Sequence, residues 1–318
     1  MNKFVAIIVG GTGQFGRILT KKLIRKNYKV VVTTRSLVKA KLKFKPNKSL
    51  LLKKLDILKK NNIKSLLLKF KPKIIFFFAG QSSPKKSFFK KRETYLSNFV
   101  GCRNFLEVIL KNKIECKFLN PSSCEIYGNT KKKIELKTKK NPISPYGFAK
   151  LKSYQITKKF REKYNLSTYN AIIFNTESTL REKDYLIPKI CIAAINAKKL
   201  GKKTEFGNLK IAREWNWCSE QCEYLLKFLT KKPQDFILSN GKLFTAIQML
   251  KFAFDYFNIG YKNFILQNKK FLRKTDSELK KSDFKKCLKK NHINRENKIY
   301  GKKMINKLIR YYQNENKY

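Results

Sequence analysis

Residues 4–34 constrain the fold of this 318-residue chain more than any other stretch. Phe4-Val-Ala-Ile-Ile-Val9 is a short, continuous apolar run, as expected of a parallel strand buried on both faces. Gly10-Gly-Thr-Gly-Gln-Phe-Gly16 follows at once, and Ile18, Leu19, Leu23 and Ile24 then recur at helical spacing until Asn27. A second apolar strand is expected at Val30 to Thr34. Strand, glycine turn, helix, strand is the βαβ unit of a dinucleotide-binding fold. In such a turn Gly10 permits the tight bend, and Gly13 lets backbone approach a pyrophosphate at the helix N-terminus. Gly16 allows close helix–strand packing. Thr12, Gln14 and Phe15 complete the candidate cofactor turn.

The alternation continues along the chain. A helix end is expected at residues 66–70, a buried strand at 74–78, helical periodicity over 96–110 and a strand at 116–119. A long helix over 145–164 and a strand at 171–174 follow. This pattern predicts an α/β fold with a doubly wound parallel sheet of the Rossmann type. After about residue 175 the elements shorten. Residues 1–174 therefore read as the dinucleotide-binding domain. Residues 175–318 read mostly as a smaller C-terminal substrate-binding lobe over the carboxyl ends of the strands, with a late strand near 235–240 returning to the sheet. The lysine-dense stretch 131–140 reads as an exposed loop.

Composition bears on the partners. Lys+Arg number 74 against Asp+Glu 21, a formal net charge of +53. A field of that sign attracts nucleic acid or anionic membrane. The lysines are, however, spread along the whole chain and not clustered into a tail, so no specific nucleic-acid partner is expected. With 42% hydrophobic and 13% aromatic residues the chain can build a packed core, which argues against disorder. Seven cysteines at scattered positions, without a C-x-x-C pair and with a single histidine, fit reduced thiols in a cytoplasm better than a disulfide framework or a zinc site. No apolar run approaches the roughly 18 residues of a membrane span, and the apolar start leads into a glycine loop instead of a cleavage site.

The end of the second strand selects the coenzyme. An acidic residue there would accept the ribose hydroxyls of NAD, but this chain has Thr34-Arg35-Ser36. Arg35 can pair with a 2′-phosphate, which favours NADP. Asp56, with Ile57 beside it, lies where the third strand should end and suits the adenine amino group.

Tyr146-Gly-Phe-Ala-Lys150 is a Y-x-x-x-K motif whose spacing puts both side chains on one helix face. A nearby ammonium favours the phenolate, so Tyr146 can take a proton from a substrate hydroxyl. In a lysine-rich chain this spacing also arises by chance. Its position singles it out, because Ser122-Ser123 ends the preceding strand and offers a third polar group. Glu125, two residues on, adds a carboxylate that a simple alcohol dehydrogenase does not need. An elimination needs it: once carbon 4 of a sugar is oxidised, a base must take the proton at carbon 5, and an acid must help water leave carbon 6. The plainer reading of Glu125 is a structural carboxylate.

On these motifs the chain resembles extended short-chain dehydrogenases acting on sugar nucleotides, and within them the GDP-mannose 4,6-dehydratase family. The glycine spacing G-x-x-G-x-x-G is similar to theirs. So are Ala79-Gly-Gln-Ser82, Ser122-Ser-Cys-Glu-Ile-Tyr-Gly128, Ser144-Pro-Tyr-Gly-Phe-Ala-Lys150, Phe174-Asn-Thr-Glu-Ser-Thr-Leu-Arg181, Gly207-Asn-Leu-Lys-Ile-Ala-Arg-Glu-Trp215 and Arg273-Lys-Thr-Asp276. The resemblance implies hydride transfer at carbon 4 by Tyr146 with Lys150, and Ser123 on the carbon-4 oxygen. Glu125 is then the acid/base of elimination, and the hydride finally returns to carbon 6. It further implies Ala79, Gln81, Ser82 and Arg181 at the NADP, Asn175, Arg213 and Arg273 at the nucleotide diphosphate of GDP-mannose or a related sugar nucleotide, and a homodimer or homotetramer. Thr176, Leu180 and Glu93 depart from the family's histidine, first arginine and cofactor-contacting tyrosine. Reductases of the 4-keto sugar and sugar-nucleotide epimerases share part of the pattern and remain alternatives, as does a non-catalytic NADP- or nucleic-acid-binding protein.

Overall fold

Seven short apolar segments line up as one parallel sheet. They are β1 (Val5–Val9), β2 (Lys29–Thr34), β3 (Leu50–Lys54), β4 (Ile74–Phe77), β5 (Lys117–Ser123), β6 (Thr168–Ile173) and β7 (Asp235–Leu238), in the spatial order β7-β6-β5-β4-β1-β2-β3. Every neighbouring pair is parallel, with Ile7 opposite both Val31 and Ile75. The order reverses between β1 and β4, the switch point at which a doubly wound sheet opens a crevice beyond its carboxyl ends.

Helices lie between the strands: α1 (Gln14–Arg25), α2 (Leu37–Lys41), α3 (Lys60–Phe70), α4 (Pro84–Phe89), α5 (Lys91–Tyr95), α6 (Gly101–Lys111) and α7 (Pro145–Tyr164). Covering a parallel sheet makes its middle strands uniformly apolar, and Ala6 through Val9 and Val30 through Val32 are fully buried. One core joins Ile7, Val31 and Phe77 to Ile63 and Leu67 of α3, Phe105 of α6 and Phe160 of α7. Each such side chain contributes about 1.5–3 kcal/mol on burial.

The helix expected over 96–110 starts earlier, at Lys91, and passes through a π-helical turn at Leu96–Val100 before α6. The strand expected over 116–119 runs on to Ser123 through Pro121. Its last pair with β4 is Phe76↔Leu119, so Pro121 lies where only β6 still pairs with the strand. A proline is tolerated at that one-sided position.

This computed structural model describes residues 4–130, 132–268, 279–296 and 298–315. They fall into two compact units. The first runs to Gly128 and takes in Leu136–Ile173 and Cys222–Leu238, hence the whole sheet. The second comprises Asn129–Glu135, Phe174–Gln221 and the residues from Ser239 on. Its core packs the helices Leu186–Leu200, Ala246–Asp255 and Gly301–Glu315 through Ile190, Ala194, Leu250, Phe254, Ile305 and Leu308. Short strands pair within it, among them Thr176–Glu177 with Asn216–Trp217.

The lysine-dense loop is not exposed throughout. Ile134 is fully buried and bridges to Ser282, its N–H donating to the Lys281 carbonyl at 2.8 Å. The lysines stay outside, where Lys133 pairs with Asp283 at 2.8 Å. Among the described residues no helix is long and apolar enough to cross a membrane, and no cluster of His, Cys, Asp or Glu is placed to hold a metal ion.

Candidate active site

The glycine turn follows β1 at the switch point. Gly10 has φ +71°, and a Cβ there would stand 2.5 Å from the Ala79 Cα, so the bend and the loop after β4 meet backbone to backbone. The Gly10 and Gly11 N–H groups both donate to the Thr33 carbonyl, at 3.0 and 3.3 Å. Gly16 packs differently from the sequence expectation. Its Cβ would lie 2.2 Å from the Gly11 carbonyl oxygen, so it closes the turn on itself instead of on a strand. Gly11, which the motif spacing passes over, is equally tight, with an added Cβ 2.9 Å from both Ile8 and Val32.

Gly13 is the contrast. It N-caps the 12-residue α1 without a side-chain cap, an added Cβ would meet nothing within 4 Å, and the first helical turn holds no acidic residue. Bare backbone facing open space at a helix N-terminus suits a diphosphate. Thr12 and Gln14 are half-buried beside it, and Phe15 stacks on Phe78 with ring centroids 5.2 Å apart.

The other strand ends are more committed. Arg35 is 85% exposed, with its Nη2 3.7 Å from Glu93 Oε1. Asp56 is exposed two residues beyond β3, and its Oδ1 accepts from Leu58 N–H at 2.9 Å. The Ile57 carbonyl accepts from Asn104 Nδ2 at 3.1 Å. The Gln81 side chain braces its own loop: its Nε2 donates to the Ser83 carbonyl at 2.8 Å and to Thr94 Oγ1 at 3.3 Å. Ser82 is exposed.

The four candidate catalytic side chains sit on two abutting segments of the first unit. β5 ends in Ser123, which starts the 3-10 turn Cys124–Tyr127 and accepts the Glu125 N–H at its Oγ at 3.3 Å. α7 begins with Ser144 as N-cap, its Oγ accepting from Gly147 N–H at 3.0 Å, and Pro145 in the first helical position. The two segments touch at Gly147, where a Cβ would come within 2.7 Å of the Glu125 carbonyl oxygen. Tyr146 is buried, and its N–H donates to Ser87 Oγ at 3.2 Å. Lys150 Nζ lies 5.8 Å from the Tyr146 ring centroid and donates to the Pro121 carbonyl at 2.8 Å. Burial pushes the Lys150 pKa down to about 8. A hydroxyl, a carboxylate, a phenol and an ammonium thus share one end of the sheet. Such a set can hold an oxygen, move a proton on and off it, and work as acid or base on a neighbouring carbon.

Gly147, Ser144 and Ser87 hold this set together although no sequence motif assigned them a role. The Ser-Pro pair before Tyr146 was a visible helix-start signal, whereas nothing in the sequence marks Ser87.

In the second unit, the Asn175 carbonyl accepts from the Asn216 N–H at 2.8 Å. Arg213 is buried on a short strand with its Nη1 on the Ala212 carbonyl at 2.9 Å. Arg181 stacks on the Tyr185 ring at 3.6 Å and lies 3.8 Å from the buried Glu177, whose carboxyl burial pushes up to about 7. Glu214 is fixed by Ser239 and by the Ser282 N–H at 3.0 Å. Arg273 lies outside the described residues.

A parallel sheet in this order, with a glycine turn after β1, defines the Rossmann-type doubly wound class. A family profile described as GDP-mannose 4,6 dehydratase matches residues 7–303, and the chain belongs to that family. GDP-mannose 4,6 dehydratase 1 of Arabidopsis thaliana is 27% identical over 306 residues, covering 89% of this chain and 83% of the relative. Among solved structures, a dTDP-glucose 4,6-dehydratase from Streptomyces venezuelae with NAD and TYD bound superposes with a TM-score of 0.86 at 16% identity. The match covers 99% of this chain and 98% of that one. A UDP-glucose 4-epimerase from Thermotoga maritima gives 0.84 at 19% identity, over 98% and 99%.

Proposed function

We propose that the chain is a sugar-nucleotide 4,6-dehydratase that converts GDP-mannose to GDP-4-keto-6-deoxymannose with NADP. The observation that carries this reading is the position of Glu125. It adds a carboxylate to the Ser–Tyr–Lys set, on the turn against which the start of α7 packs.

The open backbone at Gly13 and the tight bend at Gly10 fit a dinucleotide, and Arg35 supports NADP over NAD. When bound, the nicotinamide supplies the acceptor, and later the donor, of one hydride. The remaining steps belong to this chain's residues. Tyr146 takes the proton of the carbon-4 hydroxyl, and Ser123 holds that oxygen. The Lys150 ammonium favours the phenolate form of Tyr146. The resulting ketone acidifies the carbon-5 proton. Glu125 removes it and returns a proton to the departing carbon-6 hydroxyl, so that water is lost and a carbon-5–carbon-6 double bond remains. With the hydride restored to carbon 6, carbon 5 takes up the proton held by Tyr146, which gives the 4-keto-6-deoxy product and returns the site to its starting state. Asn175, Arg213 and Arg273 grip the nucleotide diphosphate in this reading, and Arg181 adds a contact to NADP.

Incubating purified protein with GDP-mannose and substoichiometric NADP tests the proposal. A 4-keto-6-deoxy sugar should form without net accumulation of NADPH. Glu125→Gln should retain coenzyme binding and lose water elimination by at least about 100-fold. Unchanged dehydration by that variant would remove Glu125 from the mechanism, and NADPH consumption with a 4-keto sugar in place of dehydration would replace the dehydratase by a reductase.

A further inference from the structure

Glu93 stands in α5, and its backbone is fixed by the loop that follows β4. Asn98 Nδ2 donates to the Gln81 carbonyl at 3.0 Å, Gln81 N–H to Ser97 Oγ at 3.3 Å, and Ser97 Oγ to the Glu93 carbonyl at 2.7 Å. Gln81 Nε2 reaches Thr94 Oγ1 at 3.3 Å. From this anchored position the Glu93 carboxylate faces the end of β2: its Oε1 is 3.7 Å from Arg35 Nη2, and its Oε2 is 3.6 Å from Lys90 Nζ.

We propose that Glu93 sets the coenzyme selectivity of this site by occupying the Arg35 guanidinium that a 2′-phosphate would need. The inference rests on reading the glycine turn as a nicotinamide dinucleotide site. The end of β2 offers no carboxylate to a ribose hydroxyl, but Glu93 brings one beside it from α5. A bare ribose can donate its hydroxyl to that carboxylate. A 2′-phosphate, with a charge of about −1.5 to −2, must instead draw Arg35 away and tolerate a carboxylate nearby. Arg35 alone would favour NADP strongly; Arg35 facing Glu93 favours it by a smaller margin. Because the pair is exposed, salt screens the discrimination.

Fluorescence titration of the full chain and of Glu93→Gln with NADPH and NADH reads this directly. The variant should bind NADPH about tenfold tighter at low salt, the order of effect expected of removing one negative charge from beside a phosphate of about −1.5 to −2 in a high-dielectric setting. NADH affinity should stay within twofold or weaken, and the gain for NADPH should shrink with added salt. An unchanged affinity ratio overturns the proposal. So does an equal change for both coenzymes, which would mean that Glu93 only supports its loop. If neither protein binds either coenzyme, the dinucleotide reading falls and this inference with it. If both bind well but the ratio stays fixed, only this inference falls.

Discussion

In the unfolded chain Lys150 titrates near 10.5, and in the folded protein burial lowers its pKa to about 8. Between those values the unfolded state holds a proton that the folded state has given up, so raising the pH through this window stabilises the fold. Below pH 8 the full penalty is present, because both states are charged and only the folded one is desolvated. Lys150→Met removes the titration. Its stability relative to wild type should therefore fall by about 3 kcal/mol between pH 7 and pH 10.5, measured by urea unfolding. Losing the hydrogen bond to the Pro121 carbonyl shifts both ends of that comparison equally and leaves the slope intact. Parallel stability curves would show that Lys150 keeps its proton in the folded protein. At this scale the residue types were legible: tyrosine and lysine four apart, with serine and glutamate after a strand. Their environment was not, because a Y-x-x-x-K spacing says nothing about which carbonyl receives the ammonium or how little water reaches it.

Elements place those residues, and α7 does so through its first turn. Ser144 and Pro145 made its start readable from sequence, since a capping serine followed by proline is a helix-start signal. Gly147 was readable only as a spacer. Its role depends on the turn Cys124–Tyr127 from a distant part of the chain, which no local pattern reports. A methyl group at Gly147 would force the Glu125 backbone away from α7. Gly147→Ala should destabilise the protein by about 1–3 kcal/mol, the usual cost of overpacking. Turnover should fall at least tenfold while coenzyme affinity stays within twofold, since the glycine turn at β1 is untouched. A variant with full activity would mean that the approach of α7 to this turn does not position Glu125. The same reliance on distant partners explains why β5 outran its expected end: Pro121 marked a boundary locally, but β6 still pairs with it.

At the scale of the whole molecule, the sheet is assembled from chain segments interrupted by part of the second unit, Phe174–Gln221 lying between β6 and β7. β7 arrives about sixty residues after β6 and pairs with it from Asn170↔Asp235 to Ile173↔Leu238. The apolar run Phe236-Ile-Leu238 was visible in the sequence, yet its docking is set by the residue before it. Asp235 accepts from Arg161 Nη2 and Tyr154 Oη, both at 2.6 Å, and from Asn170 Nδ2 at 3.0 Å. These donors come from α7, the helix carrying Tyr146 and Lys150, and from β6. A fragment ending at residue 174 keeps every candidate catalytic residue but leaves the largely buried Arg161 guanidinium without its counter-ion and the Tyr154 hydroxyl without its acceptor. Removing one partner of such a pair costs about 3–5 kcal/mol, a large share of the stability of an ordinary domain. That fragment should bind a hydrophobic dye and melt without a cooperative transition, whereas the full chain should not bind the dye and should melt cooperatively. Asp235→Asn in the full chain should lower the midpoint of the melt while retaining the cooperative transition, because the amide still accepts one hydrogen bond. A fragment as cooperative as the full chain would show that residues 5–173 close the sheet by themselves, and that β7 merely lengthens it.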